Sequence, residues 1–147
     1  MKTREVMTPY PTCCRPDATL DDVARLMVEN NCGEIPICEE GRVVGVVTDR
    51  DIVCRVVACG KNPAEVEARG CMSSPAATIG EQEPLEKAIG IMQDLRIRRL
   101  PVVDSSEKIV GIVSLSDVAE RIGEREVGQI VYEITHQLHR KEPSPVG

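Results

Sequence analysis

Two hydroxyl–carboxylate pairs at one spacing, Thr48-x-x-Asp51 and Ser114-x-x-Asp117, are the residues of this chain best suited to chemistry with a small ligand. Each pair follows a β-branched run, Val46-Val47 or Ile112-Val113, and so belongs where a strand hands over to a helix. At such a point backbone N–H groups are unpaired and the positive end of the helix dipole faces outward, so an anion can be received. A carboxylate there can accept from two vicinal hydroxyls, as on a ribose. The same spacing also caps a helix whether or not anything binds, and the two roles can coexist.

Arg96, Arg98 and Arg99 form the one dense basic cluster in an acidic chain. A guanidinium offers a planar fork of donors that fits phosphate, although runs of charge also serve as solvated faces. The cysteines, at 13, 14, 32, 38, 54, 59 and 71, are odd in number and none falls in a C-x-x-C, which predicts mostly reduced thiols and no zinc cluster. His136 and His139, three apart near the C-terminus, are expected to be solvated, with no metal. No nucleotide-hydrolysing, dinucleotide-binding, nucleophile-elbow or zinc-protease motif is present, which argues against an enzyme.

Composition narrows the partners. Among 147 residues, 18 Lys and Arg stand against 24 Asp and Glu, a formal net charge of -6 that would repel a phosphate backbone. With no Phe, no Trp and only Tyr10 and Tyr132, no aromatic platform is available to stack bases, so nucleic acid is an unlikely partner. No apolar run reaches signal-peptide or membrane-spanning length, so a cytoplasmic protein with no membrane partner is expected.

The elements that must position these residues come in two copies. At a shift of 65, Met7 falls on Met72, Leu20 on Leu85, Met27 on Met92 and Pro36 on Pro101; one extra residue before Gly111 then places Gly45-Val46-Val47-Thr48 on Gly111-Ile112-Val113-Ser114, and Asp51 on Asp117. Leu20, Val23, Ala24 and Met27 recur at helical spacing behind Thr19 and Asp22, an approximate capping box. Leu85, Ala88, Ile89, Met92 and Leu95 do the same, with Pro84 expected at the first helical position. Short extended segments precede each helix near Thr12–Cys14 and Ala77–Ile79. Pro-containing strands follow it, so each copy reads β-α-β-β-α in a mixed α/β (α+β) fold. Cys13 and Cys38 fall on strands that a right-handed crossover makes neighbours, so a disulfide is conceivable; two small buried hydrophobes is the reading that reducing cytoplasm favours.

These motifs resemble a known family. Val6-Met7-Thr8-Pro9, Ile35-Pro36-Ile37 and Gly45 to Ile52, then Met72, Arg98 to Asp104 and Gly111 to Val118, are similar to tandem cystathionine-β-synthase (CBS) domains, a Bateman module, over roughly residues 3 to 125. Among stand-alone pairs the likeness is to the small bacterial hypoxic-response type. It implies two repeats packed about a pseudo-twofold axis, clefts for adenosine compounds such as AMP, ATP, NAD or S-adenosylmethionine, a homodimer, no catalytic cofactor, and a regulatory role on an unidentified protein target. The alternative is a structural, interaction or redox-responsive dimer with empty clefts.

Residue by residue, the resemblance implies nucleotide contacts at Thr48, Asp51, Ser114, Ser116 and Asp117. In the family the basic pair before the second strand reaches the partner repeat's cleft, so Arg98 and Arg99 are expected to serve the site of Asp51. Their counterparts Gly33 and Glu34 break the symmetry, since Glu34 near a phosphate lowers affinity. Adenine is expected near Thr12 and Ala77. The division expected is a first CBS domain over 1-60, a linker over 61-70, a second CBS domain over 71-126, and a C-terminal helix with a disordered end over 127-147. That helix is predicted from Val127, Ile130, Val131, Ile134 and Leu138, whose spacing leaves open whether it docks on its own body, on a second subunit or on a partner.

Overall fold

The computed structural model describes the backbone of residues 1–140 and the side chains as far as His136. Along the chain lie β1 (Thr8–Pro9), α1 (Leu20–Asn30), β2 (Glu34–Glu39), β3 (Arg42–Thr48), α2 (Asp49–Ile52), β4 (Ile79–Gly80), α3 (Leu85–Leu95), β5 (Arg99–Val103), β6 (Ile109–Ser114), α4 (Leu115–Ala119) and α5 (Glu124–Arg140). By contact they divide into two units, residues 12–76 and residues 1–11 with 77 onward. No helix among the described residues is long and apolar enough to cross a membrane.

In the 12–76 unit, β2 and β3 pair antiparallel with Ile35 opposite Val47 and Ile37 opposite Gly45. Their two-residue turn, Glu40 and Gly41, has positive φ at both positions, the geometry that matches the twist of a tight hairpin. Two single-residue bridges flank the hairpin: Cys14 runs parallel to Ile37, and Ser73 antiparallel to Val46. Helix α1 closes one face by burying Leu20, Val23 and Met27 against Ile35, Ile37, Val47 and Val56. Each fully buried aliphatic of this kind contributes about 1.5–3 kcal/mol.

The expected Thr19–Asp22 capping box does not form. The Thr19 hydroxyl donates to Asp21 Oδ1 at 2.5 Å and lies 3.1 Å from Asp22 Oδ2, and it accepts from no helix N–H group. The Leu20 N–H bonds instead to the carbonyl of Val66 at 3.0 Å. Val66 lies in the stretch expected to be a linker over 61-70, and within that stretch Val66 packs against the core of the first unit and Ala68 is buried in it.

The second unit is a sheet in the order β1-β6-β5-β4, with Leu100 opposite Val113 in β5–β6 and Thr8 opposite Ile112 in β1–β6. The β5–β6 connection holds the extra residue: Asp104 N–H bonds to Lys108 O at 2.9 Å across three residues, and the Asp104 carboxylate accepts from the N–H groups of Ser106 and Lys108. Helix α3 buries Leu85, Ala88 and Met92. Pro84 is its N-cap, one place earlier than expected. Helix α4 ends at Ala119, short of the Gly123 limit suggested by the sequence. Helix α5 docks on its own unit: Ile130 and Ile134 are 5% and 1% exposed, and Gln93 of α3 donates to Glu133 at 2.6 Å. Leu138, and residues 141–147 read as a disordered end, lie outside the described side chains or residues.

The two units are built alike from exchanged pieces. Met7-Thr8-Pro9, at the start of the first repeat, pairs in the second unit, and Met72-Ser73, at the start of the second repeat, pairs in the first. Gly45 and Gly111 admit these segments. A Cβ on Gly45 would lie 2.9 Å from the Ser73 carbonyl oxygen, and one on Gly111 would lie 2.9 Å from that of Thr8.

Candidate functional site

Both predicted hydroxyl–carboxylate pairs form the reciprocal turn expected of them. The Asp51 N–H donates to Thr48 Oγ1 at 3.0 Å, and the Thr48 N–H donates to Asp51 Oδ2 at 3.0 Å. In the second unit the Asp117 N–H donates to Ser114 Oγ at 3.1 Å, and the Ser114 N–H to Asp117 Oδ2 at 2.9 Å. Each turn thus fixes one carboxylate oxygen and turns the other, Oδ1, away from the backbone. Neither residue is fully buried; the Asp51 side chain is 15% exposed. A carboxylate oriented through one oxygen, with lone pairs left on the other, is suited to accept a ligand hydroxyl.

The helices behind the turns are short. Helix α2 spans four residues before the backbone widens into a π-helical turn over Val53–Val57, and α4 spans five. The macrodipole invoked from sequence is correspondingly small, so individual donors decide what an anion meets. In the first turn these donors are claimed: Asp49 N–H bonds to Gly33 O at 2.9 Å, and Arg50 N–H to Asp49 Oδ1 at 2.8 Å. In the second, Leu115 N–H bonds to Arg98 O at 2.8 Å, but the residue in the place of Asp49 is Leu115 itself, which brings no carboxylate to the Ser116 N–H.

Strand register supplies the neighbours. Glu34 stands opposite Thr48 in β2–β3, and Arg99 stands opposite Ser114 in β5–β6. Cross-strand partners share a face of the sheet, so the first turn faces a carboxylate and the second a guanidinium. Arg98 is exposed and Arg99 half-buried, and among the described residues neither makes an ion pair. Arg96 has a different task, closing α3 in the left-handed conformation at φ 56.

The remaining expected contacts are placed as follows. A Cβ on Gly33 would meet the Asp49 carboxylate at 2.8 Å, so the space beside Gly33 is taken up by that side chain. The Thr12 hydroxyl donates to Asn30 Oδ1 at 3.0 Å, and Ala77 packs against the core of its own unit. Ser116 is exposed. His136 stacks on Tyr132 with ring centroids 4.7 Å apart, while the side chain of His139 lies outside those described. Among the described residues no three His, Cys, Asp or Glu side chains are grouped to hold a metal ion. Cys13 and Cys38 are both thiols, and they touch: hydrogen bonding from Cys38 brings the Cys13 thiol down to about 7, and the same contact, with burial, pushes Cys38 up.

Two arginines were not singled out from sequence. Arg55 Nη2 lies 3.8 Å from Asp51 Oδ1 while its Nη1 donates to the Cys71 carbonyl at 2.8 Å. Arg121, the corresponding residue, donates to the Glu5 carbonyl at 3.3 Å. Each guanidinium ties a turn helix to the segment that arrives from the other repeat. The signal was present as Asp-x-x-x-Arg after both turns, one helical turn beyond the motif. In the second unit the exchanged segment also reaches the turn itself, where the Thr8 hydroxyl lies 3.5 Å from Asp117 Oδ1.

A strand–turn–helix with a reciprocal Thr/Ser–Asp pair, repeated in two β-α-β-β-α units, defines the class of protein. The CBS domain model matches residues 4–58 and again 66–124, and the chain belongs to that family. It is 40% identical over 118 residues to an uncharacterized protein of Methanopyrus kandleri, covering 80% of this chain and 58% of the relative's length. It is 31% identical over 129 residues to Hypoxic response protein 1 of Mycobacterium tuberculosis, covering 87% and 90%. Among solved structures it is similar to Hypoxic Response Protein I with two coordinated zinc ions, at TM-score 0.77 and 29% identity over 84% of this chain and all of that one. It is also similar to the CBS domain protein PAE2072 from Pyrobaculum aerophilum complexed with AMP, at TM-score 0.76 and 25% identity over 89% and 98%. The CBS domain pair of MJ0100, in complex with 5-methylthioadenosine and S-adenosyl-L-methionine, gives TM-score 0.74 and 25% identity over 84% and 100%.

Proposed function

We propose that this chain is a non-catalytic regulatory module that binds an adenosine compound and passes its occupancy to a protein target. The observation that carries this reading is the duplicated turn, in which Asp51 and Asp117 are each oriented through Oδ2, while Oδ1 is directed toward Arg55 at 3.8 Å in the first turn and the Thr8 hydroxyl at 3.5 Å in the second. A ribose diol fits that acceptor. The likeness to family members named as complexed with AMP or S-adenosyl-L-methionine supports an adenosine ligand, with ATP and NAD in the same class. Arg98 and Arg99 are the proposed phosphate donors, Thr48, Ser114 and Ser116 the polar lining, Thr12 and Ala77 the approach of the base, and Gly33 the first-repeat counterpart of Arg98. A homodimer acting in the cytoplasm completes the proposal.

Which aspartate shares its ligand with Arg99 has two answers. The family resemblance favours Asp51, whereas the register of β5–β6 favours Asp117, because Arg99 stands opposite Ser114. Calorimetric titration of AMP into Arg99→Ala, Asp51→Ala, Asp117→Ala and the two double variants distinguishes them. The aspartate in the same site loses its effect once Arg99 is gone, and the other remains additive. Native mass spectrometry of the protein purified from its source reports a retained adenosine ligand and the dimer mass in one spectrum. Failure of every adenosine compound to bind ligand-stripped protein favours the structural alternative.

A further inference from the structure

Cys13 and Cys38 stand apart from the other thiols. They flank the bridge between Cys14 and Ile37, and that bridge is fixed on both sides, Cys14 N–H to Pro36 O at 3.0 Å and Cys38 N–H to Cys14 O at 2.8 Å. Cys14 and Ile37 point into the apolar cluster of the first unit. Cys38 is 8% exposed but lies outside that cluster, and Cys13 is at the surface. Two thiols therefore meet at the end of a rigid strand pair, one accessible and one sheltered beneath it, a division of labour between attacking and resolving sulfur.

We propose that Cys13 and Cys38 are a redox-active dithiol whose oxidant is a low-molecular-weight disulfide. The Cys13 thiolate attacks one sulfur of that disulfide, a Cys13 mixed disulfide forms, and one small thiolate leaves. Cys38 then gives its proton to solvent and attacks the Cys13 sulfur, forming the Cys13–Cys38 bond and releasing the second small thiol. Two protein thiols are oxidised and one small disulfide is reduced to two thiols. The order of attack follows from the contact between the two sulfurs: the Cys38 S–H donates to Cys13 and favours its thiolate, and Cys38 is held protonated largely by that same partner. Once Cys13 carries the mixed disulfide, that restraint on Cys38 is gone. Cys14 and Cys71 are pushed up by burial and are poor competitors. The bond would tie the segment that begins the first unit to the end of β2.

The test uses the full-length reduced protein and oxidised glutathione as the probe, without nucleotide, so that it is independent of the ligand proposal. Wild type is expected to lose two hydrogens by intact mass, and peptide mapping to recover Cys13 linked to Cys38. Cys38→Ser is expected to stop with glutathione on Cys13, and Cys13→Ser to form neither product at these positions. Iodoacetamide labelling of Cys13 in the wild-type protein should reach half its limiting rate near pH 7. This measurement stands even where a substitution at buried Cys38 disturbs folding. Oxidised wild type should also melt at a higher temperature than reduced. Persistence of the mixed disulfide on wild-type Cys13, a Cys13 link to any other cysteine, or labelling at the pH of an ordinary thiol would overturn the proposal.

Discussion

The turn at Thr48–Asp51 and the turn at Ser114–Asp117 share one hydrogen-bond pattern and differ in the charged and polar side chains around it. The first faces Glu34 across the hairpin, has its Arg50 N–H answered by Asp49, and holds Arg55 3.8 Å from Asp51 Oδ1. The second faces Arg99, has Leu115 where Asp49 stands, and sets the Thr8 hydroxyl beside Asp117. Duplication preserved the part that orients the carboxylate. The residues that decide the charge of a ligand are on the neighbouring strand and at one helix position, and these have diverged. Orientation of the acceptor and selection of the ligand are thus carried by different residues.

The largest expected effect tests the charge side of this contrast. Arg99→Ala should weaken AMP by about 1.5–3 kcal/mol, the worth of a charge-assisted hydrogen bond, and leave adenosine nearly unchanged because it has no phosphate to lose. Titration with the two ligands reads the difference; equal weakening of both would remove Arg99 from phosphate recognition. Next in size is a test of what the units share. Gly45→Val and Gly111→Val each drive a side chain onto a backbone carbonyl, and each should cost about 1–3 kcal/mol of stability by denaturant unfolding. Loss at one position alone would show that the exchanged segments are not equally close-packed.

A smaller effect sharpens the comparison. Asp49→Leu makes the first turn resemble the second by removing a carboxylate and freeing the Arg50 N–H, and nucleotide affinity should rise by about 0.2–1 kcal/mol, with little change for adenosine. The smallest concerns the helices. The Thr19 hydroxyl, then the neighbouring Arg25, holds the Asp21 carboxyl below its usual range. A depressed carboxyl contributes stability that is present above the ordinary Asp range and is lost as pH falls through the lowered value. Acid melting should therefore be slightly less steep in Asp21→Asn, whereas Glu86→Gln at the start of α3 serves as the control.

How much of this was legible from sequence depended on distance along the chain. The Thr/Ser–Asp turns could be read because both partners lie three residues apart and the pattern occurs twice. Thr19 does not cap α1 because its hydroxyl is drawn toward Asp21, two residues on, in an orientation that no helix N–H reaches, and spacing to Asp22 alone does not reveal that attraction. Arg55 and Arg121 were readable as i,i+4 partners, but their main acceptors, the carbonyls of Cys71 and Glu5, are supplied by tertiary folding. The exchange itself left no periodic trace. Thr8–Pro9 and the single bridge at Ser73 are too short to alternate, and their partners lie far away in the chain.

That exchange bears on how the chain is made. Residues 12–76 are contiguous, so the first unit has every piece it needs as soon as Ala76 has left the ribosome. The second unit does not. Its β1 and the Thr3 that binds the Glu83 carbonyl precede the whole of the first unit, whereas Glu83 follows that unit and β6, the partner of β1, begins only at Ile109. Residues 1–11 must stay unpaired while the first unit is made, on the order of several seconds at ordinary rates of elongation. A nascent chain halted after Ala76 should accordingly carry one finished unit and a protease-sensitive segment over residues 1–11, whose Thr8–Pro9 strand becomes protected only when β6 emerges.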